Sequence, residues 1–223
     1  MRAVSCDRPM PPTFFYLHGF ASGPSSSKGV FLKQQLAQSD NIDLQIPDFN
    51  EGGFTHLTVS RQIEQVCDRL PNSPTILIGS SLGGLTAAWV AEQMPQVERV
   101  ILLAPAFEFA RRWQMALGRE AIAAWQAHGK RSFFHYGQQA ELPLHYRFVE
   151  DALGYNEAQL KRQVPTAIVH GRQDDVVPVR VSRQFAGDRD WVELLELDSD
   201  HALGDEASKA AIWKTVQRFC GLA

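Results

Sequence analysis

A layered α/β fold, with a mainly parallel sheet of about six strands covered by helices on both faces, is what this sequence predicts. Short apolar runs recur near residues 13–17, 42–46, 74–79, 98–103, 165–170 and 191–197, the length and composition of buried strands. Between them lie stretches with apolar residues at helical spacing, notably near 27–38, 55–70, 83–94 and 205–220, which serve as crossover helices between parallel strands. At residues 75–92 a strand, a glycine-rich turn and a helix follow one another directly.

Taken in order, the first strand, Thr13-Phe14-Phe15-Tyr16-Leu17, runs into His18-Gly19-Phe20, then a serine-rich stretch that opens a helix at Ser27-Lys28. In the 55–70 segment Val59, Ile63, Val66, Cys67 and Leu70 share one helix face, so Cys67 reads as a small buried hydrophobe. The run Thr75-Ile76-Leu77-Ile78 ends in Gly79-Ser80-Ser81-Leu82-Gly83, and the helix begins at once. After the strand near 98–103 the rhythm breaks: residues 105–164 are far longer than one crossover needs and carry Phe107, Phe109, Trp113, Trp125, Phe133, Phe134, Tyr136, Tyr146 and Phe148. Insertions of this length are commonly lids or binding loops, and a small helical cap is expected here. Phe109 and Trp113 are its candidate substrate-binding residues, though many of these aromatics serve equally well to pack the cap onto the body. The last two strands end at His170-Gly171-Arg172-Gln173-Asp174-Asp175 and at Asp198-Ser199-Asp200-His201, and a helix closes the chain. One domain over residues 1–223, with the cap at about 105–164, is the expected organisation.

The pentapeptide around Ser81 has the G-x-S-x-G form and the strand–turn–helix context of a nucleophile elbow. The chemistry accounts for its glycines, because a serine on a strained strand-to-helix turn brings neighbouring backbones too close for side chains two positions either side. The helix that follows starts at the serine and leaves the N–H of Leu82 free to face a developing oxyanion. Ser81 could instead only cap that helix. Two later clusters weigh against this, since in chain order Ser81, Asp174 and His201 each fall just past a strand, and serine, acid, histidine is the order of α/β-hydrolases. Asp175 competes with Asp174 in the same loop; the spacing H-G-x-x-D selects Asp174.

Taken together, the elbow, the H-G-x-x-D segment and Tyr16-Leu17-His18-Gly19-Phe20-Ala21-Ser22-Gly23-Pro24-Ser25-Ser26-Ser27-Lys28 resemble the small bacterial YqiA-type esterases of the α/β-hydrolase superfamily, from about Thr13 onward. The resemblance implies a minimal α/β-hydrolase fold and a Ser81, Asp174, His201 triad. It further implies that the backbone N–H groups of Phe20 and Leu82 form the oxyanion hole. His18 is expected to shape the oxyanion loop, His170 to pack at a strand end, and Lys28 to begin a solvated helix or to support the loop beside the site.

Composition narrows the alternatives. A formal net charge of −3 offers no basic footprint for nucleic acid or anionic membrane, and no run approaches the length of a spanning helix. Residues 1–12 lack an apolar core, so no secretory signal is expected and cytoplasmic residence follows. Cys6, Cys67 and Cys220 show neither metal nor redox spacing, so no metal and no organic cofactor is expected. The expected partner is a small-molecule ester, hydrolysed by a monomer or homodimer. Short to medium acyl esters fit an aromatic-lined pocket, while thioesters and acyl glucuronides would use the same groups. A non-catalytic binding protein on this scaffold is the rival, and it would normally lack one member of the triad.

Overall fold

The structure, a computed structural model, describes residues 11–222; Cys6 and the N-terminal stretch read above lie outside the described residues. Among the described residues, eight strands and eight α-helices alternate through most of the chain. The body comprises β1 (Thr13–Leu17), α1 (Ser27–Asp40), β2 (Leu44–Gln45), α2 (Val59–Cys67), β3 (Thr75–Ser80), α3 (Leu82–Gln93) and β4 (Val97–Leu103). An insertion follows, with α4 (Phe109–Leu117), α5 (Arg119–His128), β5 (Lys130–His135), β6 (Ala140–His145) and α6 (Arg147–Ala152). The body then resumes with β7 (Thr166–Gly171), α7 (Arg180–Gly187), β8 (Val192–Leu197) and α8 (Glu206–Cys220).

Six strands form one sheet in the order β2-β1-β3-β4-β7-β8, every neighbouring pair parallel. Burial on both faces explains why β1, β3 and β7 read as unbroken apolar runs, whereas the edge strand β8 carries Glu193 and Glu196 and has no fully buried residue. The sheet's side chains alternate between two cores. Phe15, Leu17, Leu77, Leu102 and Ile168 pack with α2, α3 and the insertion, whereas Phe14, Tyr16, Ile78, Leu103 and Val169 pack with α1 and α8. From β1 the chain adds β2 on one side and then crosses to add β3 on the other, so the topological switch lies between β1 and β3. In open α/β sheets the crevice at the carboxyl ends of such a strand pair is the usual ligand site. The loops holding Phe20 and Ser81 leave from that crevice.

The helix expected over 55–70 begins later, at Val59, because Thr58 caps it: its Oγ1 accepts the Arg61 N–H at 3.0 Å, and residues 54–56 form a separate 3-10 turn. Cys67 packs against the core from the apolar stripe but is only half-buried, less than the buried position expected of it. The insertion holds helices, as expected, together with an unexpected antiparallel hairpin, β5–β6. Among the described residues no helix is long and apolar enough to cross a membrane.

Two glycines fix how α3 meets the sheet. A Cβ on Gly83 would lie 2.1 Å from the Leu17 carbonyl oxygen, and one on Gly79 would lie 2.3 Å from that of Gly83. Gly83→Ala should therefore lose on the order of 3 kcal/mol or more, since backbone has to move. Gly187→Ala, whose added Cβ meets nothing within 4 Å, should stay within about 1 kcal/mol of the parent. Urea unfolding of both variants measures the contrast, and equal losses would show that the close approach does not govern the turn.

Candidate active site

Ser81 occupies the turn between β3 and α3 with φ 53° and ψ −117°, a backbone region L residues rarely adopt and one that costs about 1–3 kcal/mol. The surrounding backbone holds it there. Its N–H donates to the Leu103 carbonyl at 2.9 Å, and its own carbonyl accepts from Gly84 at 2.9 Å and from Ala106 at 3.0 Å. The strain turns the hydroxyl out of the sheet. Leu82, the next residue, is the first of α3, so its N–H has no partner within the helix, while its side chain is buried in the core.

His201 follows β8 and meets this hydroxyl, with Nε2 3.1 Å from Ser81 Oγ. Its other nitrogen, Nδ1, lies 2.6 Å from Asp174 Oδ2. With the Nδ1 proton directed at the carboxylate, Nε2 is left as an acceptor for the serine proton. Three residues far apart in sequence thus form one line of hydrogen bonds.

Asp174 is buried at 6% exposure, whereas its neighbour Asp175 is exposed, which settles which carboxylate meets the histidine. Oδ1 accepts the N–H groups of Val176 at 2.9 Å and Val177 at 2.6 Å. Oδ2 accepts from His201 and, at 3.1 Å, from His170 Nε2, which also donates to the Val177 carbonyl at 2.8 Å. Burial alone would raise the Asp174 carboxyl pKa, but the hydrogen bonds from His170, His201 and Val177 outweigh it and hold the pKa well below the usual carboxylate range. His170 is therefore more than the packed strand end expected. It is fully buried, its Nδ1 lies 2.8 Å from Ser182 Oγ, and it fixes the carboxylate that fixes His201. Its position four residues before Asp174 was visible in the sequence, but its direction was not.

His18 shapes the loop after β1, as expected. Its Nε2 accepts the Phe49 N–H at 3.1 Å and its Nδ1 lies 3.0 Å from the Gly19 carbonyl; burial lowers its pKa, which keeps it neutral near pH 7. Phe20 leaves this loop with its ring in the insertion, 5.1 Å from Trp113, 5.6 Å from Phe133 and 5.6 Å from Phe148 between centroids. Lys28 departs from the solvated-helix expectation. The helix starts where expected, but the ammonium turns inward and donates to the Ala202 carbonyl, next to His201, at 2.5 Å.

A cavity of about 810 Å³ opens over Ser81 and His201 and is lined by Phe20, Phe109 and Trp113 among others. Of the candidate site residues, Phe20, Ser81, Phe109, Trp113 and His201 line this cavity, while Asp174 and Leu82 are buried and do not. A second cavity of about 490 Å³, beside Phe185 and Arg189, contains neither Ser81 nor His201. Among the described residues no group of three or more His, Cys, Asp or Glu is arranged to hold a metal ion.

With this geometry in hand, comparison with known proteins is informative. Residues 13–217 match the family described as Uncharacterised protein family (UPF0227). The chain belongs to this family. Its fold is that of the α/β-hydrolases. It superposes on mouse alpha/beta hydrolase domain-containing protein 10 with a TM-score of 0.81 at 21% identity, over 96% of this chain and 91% of that one. The ferulic acid complex of Est1E from Butyrivibrio proteoclasticus gives a TM-score of 0.76 at 20% identity, over 93% and 87%. A monoacylglycerol lipase from Paleococcus ferrophilus gives 0.69 at 14% identity, over 96% and 95%.

The buried carboxylate makes a prediction about stability. Because the folded pKa of Asp174 lies below its unfolded value of about 3.9, its contribution is present above that value and is lost as pH falls through the folded pKa. Asp174→Asn should be less stable than the parent at pH 7, and the gap should close as the pH drops from about 5 toward 2. Thermal unfolding midpoints across that range test this, and a gap independent of pH would contradict it.

Proposed function

We propose that this protein is a serine hydrolase cleaving carboxylic esters of short to medium acyl chain through an acyl-enzyme on Ser81. The observation that carries the reading is the unbroken relay from Ser81 Oγ to His201 to buried, ionised Asp174. His201 Nε2 takes the hydroxyl proton as Oγ attacks the ester carbonyl. Asp174 keeps the imidazole in the tautomer that leaves Nε2 free and stabilises the imidazolium as it forms. The N–H groups of Phe20 and Leu82 receive the oxyanion. His201 then protonates the leaving alcohol, and a water deprotonated by the same nitrogen releases the acid. The esterase and lipase among the structural relatives named above agree with this chemistry, as does the apolar lining of the cavity, which suits an acyl chain.

A fluorophosphonate probe should label Ser81 and not Ser80. Ser81→Ala should lose roughly 10⁴-fold or more in kcat while staying within about 1 kcal/mol of the parent in stability, since the hydroxyl tips a turn and fills no core. Asp174→Asn should fall by several orders of magnitude and Asp175→Asn should be mild. A panel of p-nitrophenyl esters and acyl thioesters supplies the rates; labelling elsewhere, or the reverse order of the two acids, would overturn the assignment.

The cap aromatics are expected to divide. Phe109 lines the cavity without touching Phe20, so Phe109→Ala should shift chain-length preference with little change in kcat. Trp113 packs on Phe20 itself, so Trp113→Ala should also lower kcat by loosening an oxyanion donor. Equal effects of both variants on selectivity and rate would remove the distinction.

A further inference from the structure

The relay needs no positive charge beyond the imidazolium it creates, yet two basic side chains, Lys28 and Arg112, line its cavity. On α4 the residues Phe109, Arg112, Trp113 and Ala116 all face the cavity, the i, i+3, i+4, i+7 stripe of one helix face, so Arg112 points where the aromatics point. Lys28 enters from the first turn of α1. Against these two, the lining contains a single carboxylate, the exposed Asp175.

Neither cation has an acidic partner within ion-pair distance among the described residues. Lys28 spends one of its three N–H donors on the Ala202 carbonyl. Arg112 reaches only the Val176 carbonyl, at 3.3 Å, and its Nε is buried without a hydrogen-bond partner. Glu108, the acidic residue nearest Arg112 on its own element, lies instead 4.0 Å from Arg180. Carbonyl oxygens satisfy donors but supply no counter-charge to two half-buried cations in one cavity. Burial pushes the pKa of Lys28 down, while the charges of Asp200 and Asp174 draw it up; burial and the neighbouring Arg180 push that of Arg112 down, against the charges of Glu108 and Asp174. Both cations therefore stand close to the relay. An anion held there would gain charge-assisted hydrogen bonds, bidentate in the case of Arg112, and the leading N–H groups of α1, whose first turn carries no acidic residue, would reinforce them.

We infer that the cavity selects esters carrying an anionic group, a carboxylate or a phosphate monoester, close to the scissile bond, with Lys28 and Arg112 holding that group. The inference rests on the ester-hydrolase reading above. It assigns the two cations a role in specificity, distinct from the neutral aromatic surface that receives the rest of the substrate.

Matched substrates test it on the full chain. Phenyl acetate is compared with 4-acetoxybenzoate and with 4-acetoxyphenyl phosphate, which separates carboxylate from phosphate on the alcohol side. p-Nitrophenyl valerate is compared with the p-nitrophenyl monoester of glutaric acid, which places the charge on the acyl side. At least one anionic member should exceed its neutral partner by about tenfold or more in kcat/KM, mostly through KM. Arg112→Met and Lys28→Met should each reduce that ratio, and about 0.5 M salt should reduce it in the parent. The ratio is the quantity to follow, because losing the Lys28 contact with Ala202 slows both members of a pair alike. If Lys28→Met fails to fold, Arg112→Met and the salt series decide. Neutral esters turned over as fast as all the anionic ones, or a preference that neither variant nor salt alters, would overturn the inference while leaving the hydrolase intact. No turnover of any member would overturn the ester-hydrolase reading and this inference with it.

Discussion

The site depends first on a backbone contact that leaves no room for side chains, where the opening turn of α3 lies against the end of β1 at Gly83 and Leu17 and against the end of β3 at Gly79. There the chain leaves β3 at Ser80 and enters α3 at Leu82, with a single residue between. That residue, Ser81, is consequently held in a conformation that would relax if either neighbour moved. The compensation is spread over the hydrogen bonds to Leu103, Gly84 and Ala106. Since β1 and β3 flank the switch point of the sheet, the same contact places the loop after β1 next to the serine. One steric constraint thus sets the hydroxyl, the free helical N–H beside it and the approach of Phe20.

The second support is the carboxylate of Asp174, which satisfies four donors at once. Two are backbone N–H groups of its own loop, and two are imidazoles from opposite sides. A buried charge is tolerable only when so fully bonded. The difference between Asp174 and Asp175 is therefore one of surroundings, since the side chains are identical and adjacent. His170, itself anchored by Ser182 and the Val177 carbonyl, leaves the carboxylate little freedom to turn away from His201.

Much of this was legible in the sequence because the relevant signals are local. The strands β1, β3, β4, β7 and β8 fall within a residue of the runs read from the sequence; for β1, β3 and β7, buried on both faces, there is no alternation to blur the bounds. The residues of the relay each close such a run, so their meeting followed from topology alone. The edge strand β2 is only Leu44 and Gln45, the first buried and the second exposed, shorter than the run read near 42–46. The hairpin β5–β6 was hidden for a different reason. Pro143 stands opposite Ser132 within it, and a proline argues against a strand unless every strand is an edge, which is the case in a two-stranded ribbon. The inward turn of Lys28 was equally out of reach, because a long flexible side chain at a helix start reads the same whether it meets water or a carbonyl.

The hairpin is also stitched to the loop that carries Phe20. The Tyr136 N–H donates to the Ala21 carbonyl at 2.8 Å, Gly137 rests against Ser22 and Gly23, and His135 lies 2.9 Å from Asn50 Oδ1, whose amide in turn donates to the Ser22 carbonyl at 2.8 Å. A cover that lifted as a free flap would have to tear these bonds and carry the loop with it. The hairpin and the loop bearing Phe20 therefore move as one body, and under the proposed hydrolase reading any change that widens the cavity mouth by loosening the hairpin would also displace the backbone beside Ser81.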